Sequence, residues 1–407
     1  MSGLPDRIEV ETLVVGAGPA GALGALLLAR EGREILLADQ RPRGAGKVCG
    51  EYVGCEGTAV LERCGLLPRL LQAGAARILS TRIHQSGGGG CASPLSPDPA
   101  AAPGLGISRR LLDAELASAA QRAGAETVEG ARLVRLARAG RKWSAEFHRG
   151  EQTCRVLATR LIGADGRNSR VAALARLPGR FGTGGVGVQL HFPGSAALSG
   201  RVELLLFPGG YAGLAPIEGE RCCLGALVHP GSSSEIPYSF LCERLHDAAF
   251  PGAPLPPLAH PLDRASTFPV RPGHRRAIAE GLLLAGDAAC VTDPFIGQGI
   301  ALALLGGEAA AEATLLSTAG PAVNGERHYR EFLRREVLPR AIVAAALRRV
   351  LSHPGLTRRL LRALDRRPAA AAQLVALTRN AGKPWLRALP RAAGYLAERS
   401  LPSFPPR

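Results

Sequence analysis

The sequence predicts an α/β fold in which a strand–helix–strand unit is joined to a second, β-rich lobe. Three features carry this: an apolar run ending in glycines at residues 13–21, a second apolar run ending at Asp39, and short β-like runs between about 180 and 270. Leu13-Val14-Val15 reads as a buried strand, Gly16-Ala17-Gly18-Pro19-Ala20-Gly21 as a turn, Ala22–Arg30 as a helix and Ile35–Ala38 as the next strand. Gly16 allows the tight turn, Gly18 allows a pyrophosphate to approach the backbone, and Gly21 lets helix and strand pack. The helix start offers free N–H groups to phosphate. Asp39 follows Gly21 by 18 positions, where a carboxylate reaches the hydroxyls of an adenosine ribose. FAD and NAD(P) both satisfy this unit.

Further along, residues 44–51 are too glycine-rich for regular structure. Helical periodicity returns at 57–75, Arg77–Gln85 alternates like a strand, and 86–106 reads as a flexible loop. Ser108–Ala123 reads as a helix with Ser108 as its N-cap. Leu133–Leu136, Trp143–Phe147 and Cys154–Leu157 suggest a meander leading to Gly163-Ala164-Asp165-Gly166. Gly185–Phe192, Val202–Phe207 and Cys222–Val228 suggest an inserted antiparallel sheet. A buried strand at 282–287 and a long helix at 298–317 follow. Beyond 326 the pattern predicts amphipathic helices broken at Pro339, Pro354, Pro368, Pro384 and Pro390.

Apolar content of 46% with 21% charged residues is that of a soluble globular chain. No secretory leader pattern is seen, and the nine cysteines include no C-x-x-C, so a cytoplasmic protein with reduced thiols is expected. Residues 321–407 hold 18 Lys and Arg against 5 Asp and Glu, +13 of the total +16. Such a tail suits an anionic membrane surface, with the protein peripheral to it, or an acidic protein partner. Nucleic acid is not expected, because the tail has few aromatics and no recognisable nucleic-acid module.

Two more motifs narrow the cofactor. Gly163-Ala164-Asp165-Gly166-Arg167 supplies a turn with an acid and a guanidinium, although Asp-Gly alone is an ordinary turn. Gly286-Asp287 ends a buried strand, where a carboxylate can hold a ribityl hydroxyl. Gly297-Gln298-Gly299-Ile300 then bares backbone N–H groups at a helix start, which suits the negative charge of a reduced isoalloxazine. NAD has neither group, so the pattern favours FAD.

Together these motifs resemble the FAD framework of the p-hydroxybenzoate hydroxylase (aromatic hydroxylase) superfamily over about residues 10–320. Lys47-x-Cys49-Gly50 is similar to its geranylgeranyl reductase-like branch. The resemblance implies a glutathione-reductase-type FAD domain at 8–75, 105–175 and 271–320. A substrate-binding β-sheet domain is implied at 76–104 and 176–270, and a helical region at 321–407. It implies that Arg109 lies over the FAD phosphates and that the Leu133 backbone meets the adenine. Cys49 and Gly50 are implied beside the isoalloxazine, and Asp287, Gly299 and Ile300 along the ribityl chain and pyrimidine. Ala17, Ala20, Gln40, Arg41, Lys47 and Pro294 complete the cofactor-binding set.

In the roof, the reductase branch reads P-x-x-Y-x-W-x-F-P. This chain keeps Pro208, Tyr211 and Pro216 but has Gly213 for the tryptophan and Ala215 for the phenylalanine. A wider cavity is expected, so a prenyl substrate does not follow from the resemblance. The W-x-W-x-I-P motif of halogenases is missing.

The expected activity is NAD(P)H-dependent hydroxylation of an apolar or aromatic small molecule, with O2 as co-substrate. Tyr211, Pro294 and Cys49 are the candidate catalytic residues. The alternative is a reductase that saturates C=C bonds, and a third reading is a flavoprotein acting on a protein partner through its basic tail. Cys49 reads either as a reactive thiol or as a small residue where the loop nears the flavin. Lys47 reads as a flavin or substrate contact or as a solvated lysine. Glu51 and Tyr52 are possible proton donors on proximity alone, and His191 and His229 read as packed or surface histidines.

Overall fold

The computed structural model describes residues 7–96, 98–229, 238–247, 256–258, 260–319 and 321–379. Strand Arg7–Val15 lies at the centre of an eight-stranded sheet. It pairs in parallel with Gln152–Gly163 on one side and Ile35–Asp39 on the other, so Val14 faces Ile162 and Leu37 across the ladders. Glu126–Glu129 extends the sheet beyond Ile35–Asp39, and Leu282–Leu284 extends it beyond Gln152–Gly163. The meander expected from alternation is present as Arg132–Ala139, Lys142–Arg149 and Gln152–Gly163. Continuous runs such as Ile35-Leu36-Leu37-Ala38 are buried on both faces, as central parallel strands require.

Helix Pro19–Arg30 covers this sheet and packs against Arg109–Arg122 and Gly299–Ala319. Leu111 N donates to Ser108 Oγ at 3.2 Å, which makes Ser108 the N-cap that its side chain suggests. Gly299–Ala319 is the one helix among the described residues long and apolar enough to cross a membrane. It packs against Pro19–Arg30 and Ala322–Phe332.

The second lobe is a seven-stranded sheet. Its strands run in the order Asp263–Val270, Gly185–Pro193, Arg221–Val228, Gly210–Ile217, Arg201–Phe207, Ser80–Gln85 and Gly90–Pro94. One face packs Leu190, Phe192 and Leu224 on Leu241 and Leu245 of helix Tyr238–Asp247. The opposite face looks toward the first lobe.

Three expectations need correction. Residues 86–106 are not a plain loop, since they contain strands Gly90–Pro94 and Gly104–Gly106. The glycines that suggested disorder serve the turn before the first of these. Within the sheet, Ser80–Gln85 and Arg201–Phe207 pair in parallel; they come from distant segments, so no hairpin forces them antiparallel. Pro339 does not end a helix. A π-helical turn at Leu333–Val337 joins Ala322–Phe332 to Leu338–Leu351, and widening there accommodates a proline that cannot donate within a regular turn. Pro354 and Pro368 do start new helices. Pro384 and Pro390 lie outside the described residues.

Candidate active site

A cavity of ≈ 1080 Å³ runs from the Gly16–Gly18 turn to the inner face of the seven-stranded sheet. At its first end, Gly16 has a φ of 104°. A Cβ there would sit 2.5 Å from Ala164 O, and one on Gly21 would sit 1.9 Å from Gly16 O, so turn, helix and neighbouring loop close only around glycine. Gly18 starts the helix without a side-chain cap, which leaves its first N–H groups to an outside acceptor. Asp39 accepts from Ala17 N (2.7 Å) and Arg41 N (2.8 Å), so the acid braces the turn it terminates. The buried Arg109 forms a bidentate pair with Asp113 at 2.8 and 2.6 Å. That pair holds its guanidinium 3.5 Å from where a Gly18 Cβ would stand.

The middle of the cavity centres on Asp287. Lys47 Nζ lies 3.0 Å from its Oδ2, so this lysine is ion-paired within the cavity wall. Burial alone would raise the Asp287 pKa, but Lys47, Arg109 and Arg167 outweigh it and hold the carboxyl below its ordinary range. Gly297, at φ 63°, ends the turn Pro294–Ile296 and leads into Gly299–Ala319. At Gly299 nothing lies within 4 Å of where a Cβ would be, so the backbone is open to a ligand. Gln298 is fully buried beside it, and neither atom of its amide has a partner. An uncapped helix start, an ionised carboxylate and a bare glycine backbone fit FAD along its length.

At the far end, the Lys47–Glu51 loop meets the roof. A Cβ on Gly225 would come within 2.7 Å of Gly50 Cα, so sheet and loop touch there through glycine. Burial pushes the Cys49 thiol up in spite of Arg109, which keeps it protonated, and its Sγ accepts from Glu51 N at 3.4 Å. Tyr211 OH donates to Asp293 Oδ1 at 2.7 Å and stacks edge-on against Phe295. Burial and the Asp293 charge raise the Tyr211 pKa well above its usual value, so it remains a neutral phenol. Gly213 stands between Leu204 and Gly225 in the register. A Cβ there meets only Leu204 Cδ2 at 3.6 Å and Gly225 O at 4.0 Å.

The fold gathers nearly all of the predicted site residues on this cavity. Gly16, Gly18, Ala20, Asp39, Gln40 and Arg41 line the first end, with Arg109, Leu133 and Gly166 close by. Lys47, Cys49, Gly50, Gly286, Asp287 and Pro294 line the middle, together with Gly297, Gly299 and Ile300; Tyr211 lines the roof. Ala17 and Gly21 stay off the wall, one bonded to Asp39 and the other packed on Gly16. Asp165 reaches the wall, but its carboxylate is taken by Ser169 Oγ, Arg170 N and Val171 N. It organises the turn that presents Gly166.

Sequence reasoning did not place three further contacts. Arg379 Nη1 donates to Tyr52 OH at 2.5 Å, which brings the last described helix to the cavity. Arg340 and Arg379 are both buried, so these tail arginines are structural partners and not a solvated cover. Third, His191 is a bonded member of the wall and not an idle histidine. Its Nε2 is 2.7 Å from Glu51 Oε2 and its Nδ1 is 2.6 Å from Asp263 Oδ1. One signal was available in the sequence. Gly187, Gln189 and His191 alternate within an otherwise apolar strand, which puts small and polar residues on one face.

Comparison with known proteins agrees with this geometry. The family model described as "FAD binding domain" matches residues 9–311. The digeranylgeranylglycerophospholipid reductase of Methanothrix thermoacetophila is 28% identical over 356 residues, covering 81% of this chain and 85% of that protein. A geranylgeranyl bacteriochlorophyll reductase-like structure from Thermoplasma acidophilum superposes with a TM-score of 0.74 at 18% identity. It covers 96% of this chain and 99% of that one. PqsL of Pseudomonas aeruginosa, described as a probable FAD-dependent monooxygenase, superposes with a TM-score of 0.73 at 19% identity, covering 87% and 99%. The two structures share the fold. The chain belongs to the FAD binding domain family, within the p-hydroxybenzoate hydroxylase superfamily and resembling its geranylgeranyl reductase-like branch, and it is an FAD-dependent oxidoreductase.

Proposed function

We propose that this protein is a flavin-dependent reductase that saturates C=C bonds of an extended, apolar, isoprenoid-like lipid. The observation that carries the reading is the Lys47–Glu51 loop. It bears the reductase-like Lys47-x-Cys49-Gly50 and sits where the cofactor cleft opens onto an apolar roof. The relatives named as digeranylgeranylglycerophospholipid reductases support saturation over the hydroxylation expected from the sequence. Gly213 widens the roof and suits a substrate bulkier than a flat aromatic ring.

When bound, reduced FAD supplies a hydride. Asp287, held ionised by Lys47, and the backbone at Gly299 and Ile300 would fix the ribityl chain and pyrimidine edge. Arg109 and the Pro19–Arg30 helix start would hold the phosphates. Leu204, Leu227 and Phe295 would exclude water from the reacting bond, while Tyr211, bonded to Asp293, would shape the wall. An anionic membrane surface contacted by the Arg-rich C-terminal region fits a lipid substrate; residues 380–407 lie outside the described structure. NAD(P)H is one candidate electron donor.

The test uses holoenzyme reduced with dithionite under nitrogen and mixed with geranylgeraniol in detergent. Return of the oxidised-flavin absorbance without O2 supports the reductase. A flavin that stays bleached until air is admitted, with product formed only then, supports hydroxylation instead.

A further inference from the structure

The three residues Glu51, His191 and Asp263 come from different elements, and the structure bonds them in series. Glu51 belongs to the loop beside Cys49, His191 to strand Gly185–Pro193 and Asp263 to the edge strand Asp263–Val270. His191 and Asp263 are paired in the ladder register, so their side chains meet directly. The series also changes environment along its length. The Asp263 side chain is 56% exposed, that of His191 10% and that of Glu51 3%. All three line the cavity.

Glu51 is held firmly. Its Oε1 accepts from Arg109 N at 3.0 Å, its backbone O accepts from Ile107 N, and its Oε2 faces His191. Its φ of 54° is left-handed for a residue with a side chain, a cost that surrounding contacts must sustain. With a carboxylate on each ring nitrogen, His191 donates at both only as the imidazolium. Burial opposes that charge, but the hydrogen bonds and charges of Glu51 and Asp263 outweigh it and raise the His191 pKa. The remaining titratable group close to the ring is Cys223 of the adjacent strand, whose burial keeps it a neutral thiol. The contact between His191 Nε2 and Glu51 Oε2 is a hydrogen bond. At 2.7 Å it is shorter than the ~3.3 Å between two ligands of one tetrahedral zinc.

We propose that Asp263, His191 and Glu51 form a proton relay into the cavity, in which His191 stores the proton, Asp263 holds its charge in place and Glu51 passes the proton to the carbon that completes C=C saturation. The inference rests on the reductase reading above. Saturating one double bond adds a hydride to one carbon and a proton to the other, so the alkene is reduced and the hydride source is oxidised. His191, an imidazolium at rest, passes its Nε2 proton to Glu51 Oε2, which delivers it to the carbon. His191 is left neutral with its other proton on Nδ1 against Asp263, and water re-protonates Nε2 once the product leaves. His191 and Asp263 are positioning residues, acting through Glu51.

The test has two arms on dithionite-reduced holoenzyme under nitrogen. One follows the imidazole by NMR with 15N-histidine, assigned by its loss in His191→Gln. The other follows single-turnover saturation of geranylgeraniol against pH. The relay predicts a His191 titration above 6.5 and a rate that falls as pH rises through the same midpoint. Asp263→Asn, at an exposed position, lowers both midpoints by the same amount, and Glu51→Gln slows saturation about 100-fold. A His191 that titrates at or below 6.5 overturns the relay. So does a rate profile unmoved by Asp263→Asn while the lipid is still saturated, which leaves the reductase reading intact. Failure of the wild-type holoenzyme to saturate the lipid at all overturns that reading, and the relay with it.

Discussion

At the phosphate end of the cavity, polar contacts join residues that are near in the chain, as Ala17 N to Asp39 over 22 positions. At the roof end, Glu51 and His191 meet across 140 positions and His191 and Asp263 across 72. The first region is closed by backbone, with glycines where any Cβ would collide. The second has a glycine contact, Gly225 on Gly50, and is otherwise closed by side chains that lean on one another from a loop and two strands. A site of the first kind binds a constant ligand and tolerates almost no change. A site of the second kind can be altered residue by residue, which is where one superfamily can vary its reactions.

The largest effect is expected where backbone meets backbone. Gly21→Val places carbon atoms on Gly16 O, and overpacking of this kind should cost about 3 kcal/mol. Purified protein should lack flavin absorbance and melt at lower temperature; a yellow, stable variant would remove the contrast between the two ends. Next comes Asp287→Ala. It deletes a charged acceptor while leaving the turn intact, so FAD affinity should fall about 10–100-fold, measured by flavin fluorescence titration, with the protein still folded.

The phosphate end was legible because its constraints are local. A strand, a turn that admits only glycine and an acid at fixed distance are all written within residues 13–39. Asp287 and Gly297–Gly299 were legible for the same reason. The roof was legible only as texture. Strands Gly210–Ile217 and Asp263–Val270 were not read as strands: the first carries Pro216 and two glycines, and the second is mostly exposed, without apolar alternation. With Asp263 unplaced, His191 had no visible partner. Lys47 was read as ambiguous because its partner Asp287 lies 240 positions away.

A roof substitution should leave the cofactor alone. Gly213→Trp has room for its Cβ, and its ring would fill the cavity beyond Leu204. FAD binding should therefore be unchanged, while the KM for a bulky, branched lipid rises about tenfold relative to that for a linear geranylgeranyl chain, since the reductase branch carries tryptophan at this position. Loss of flavin in this variant would show that the two ends are not separable. The smallest effect concerns pH. Because the folded His191 pKa is raised, its contribution to stability is full below the unfolded value and is lost as pH rises through the folded one. Wild type should lose a little stability across that interval, and His191→Gln should flatten it in paired denaturant melts.

The central claim, that the roof end directs the cavity to saturation, is tested most directly by the mass of the product. Reduced holoenzyme and geranylgeraniol are incubated under nitrogen and in air, and the extracted lipid is weighed by mass spectrometry. The account predicts a gain of two hydrogens per reacted double bond under nitrogen. A product that gains one oxygen, and forms only in air, would contradict it.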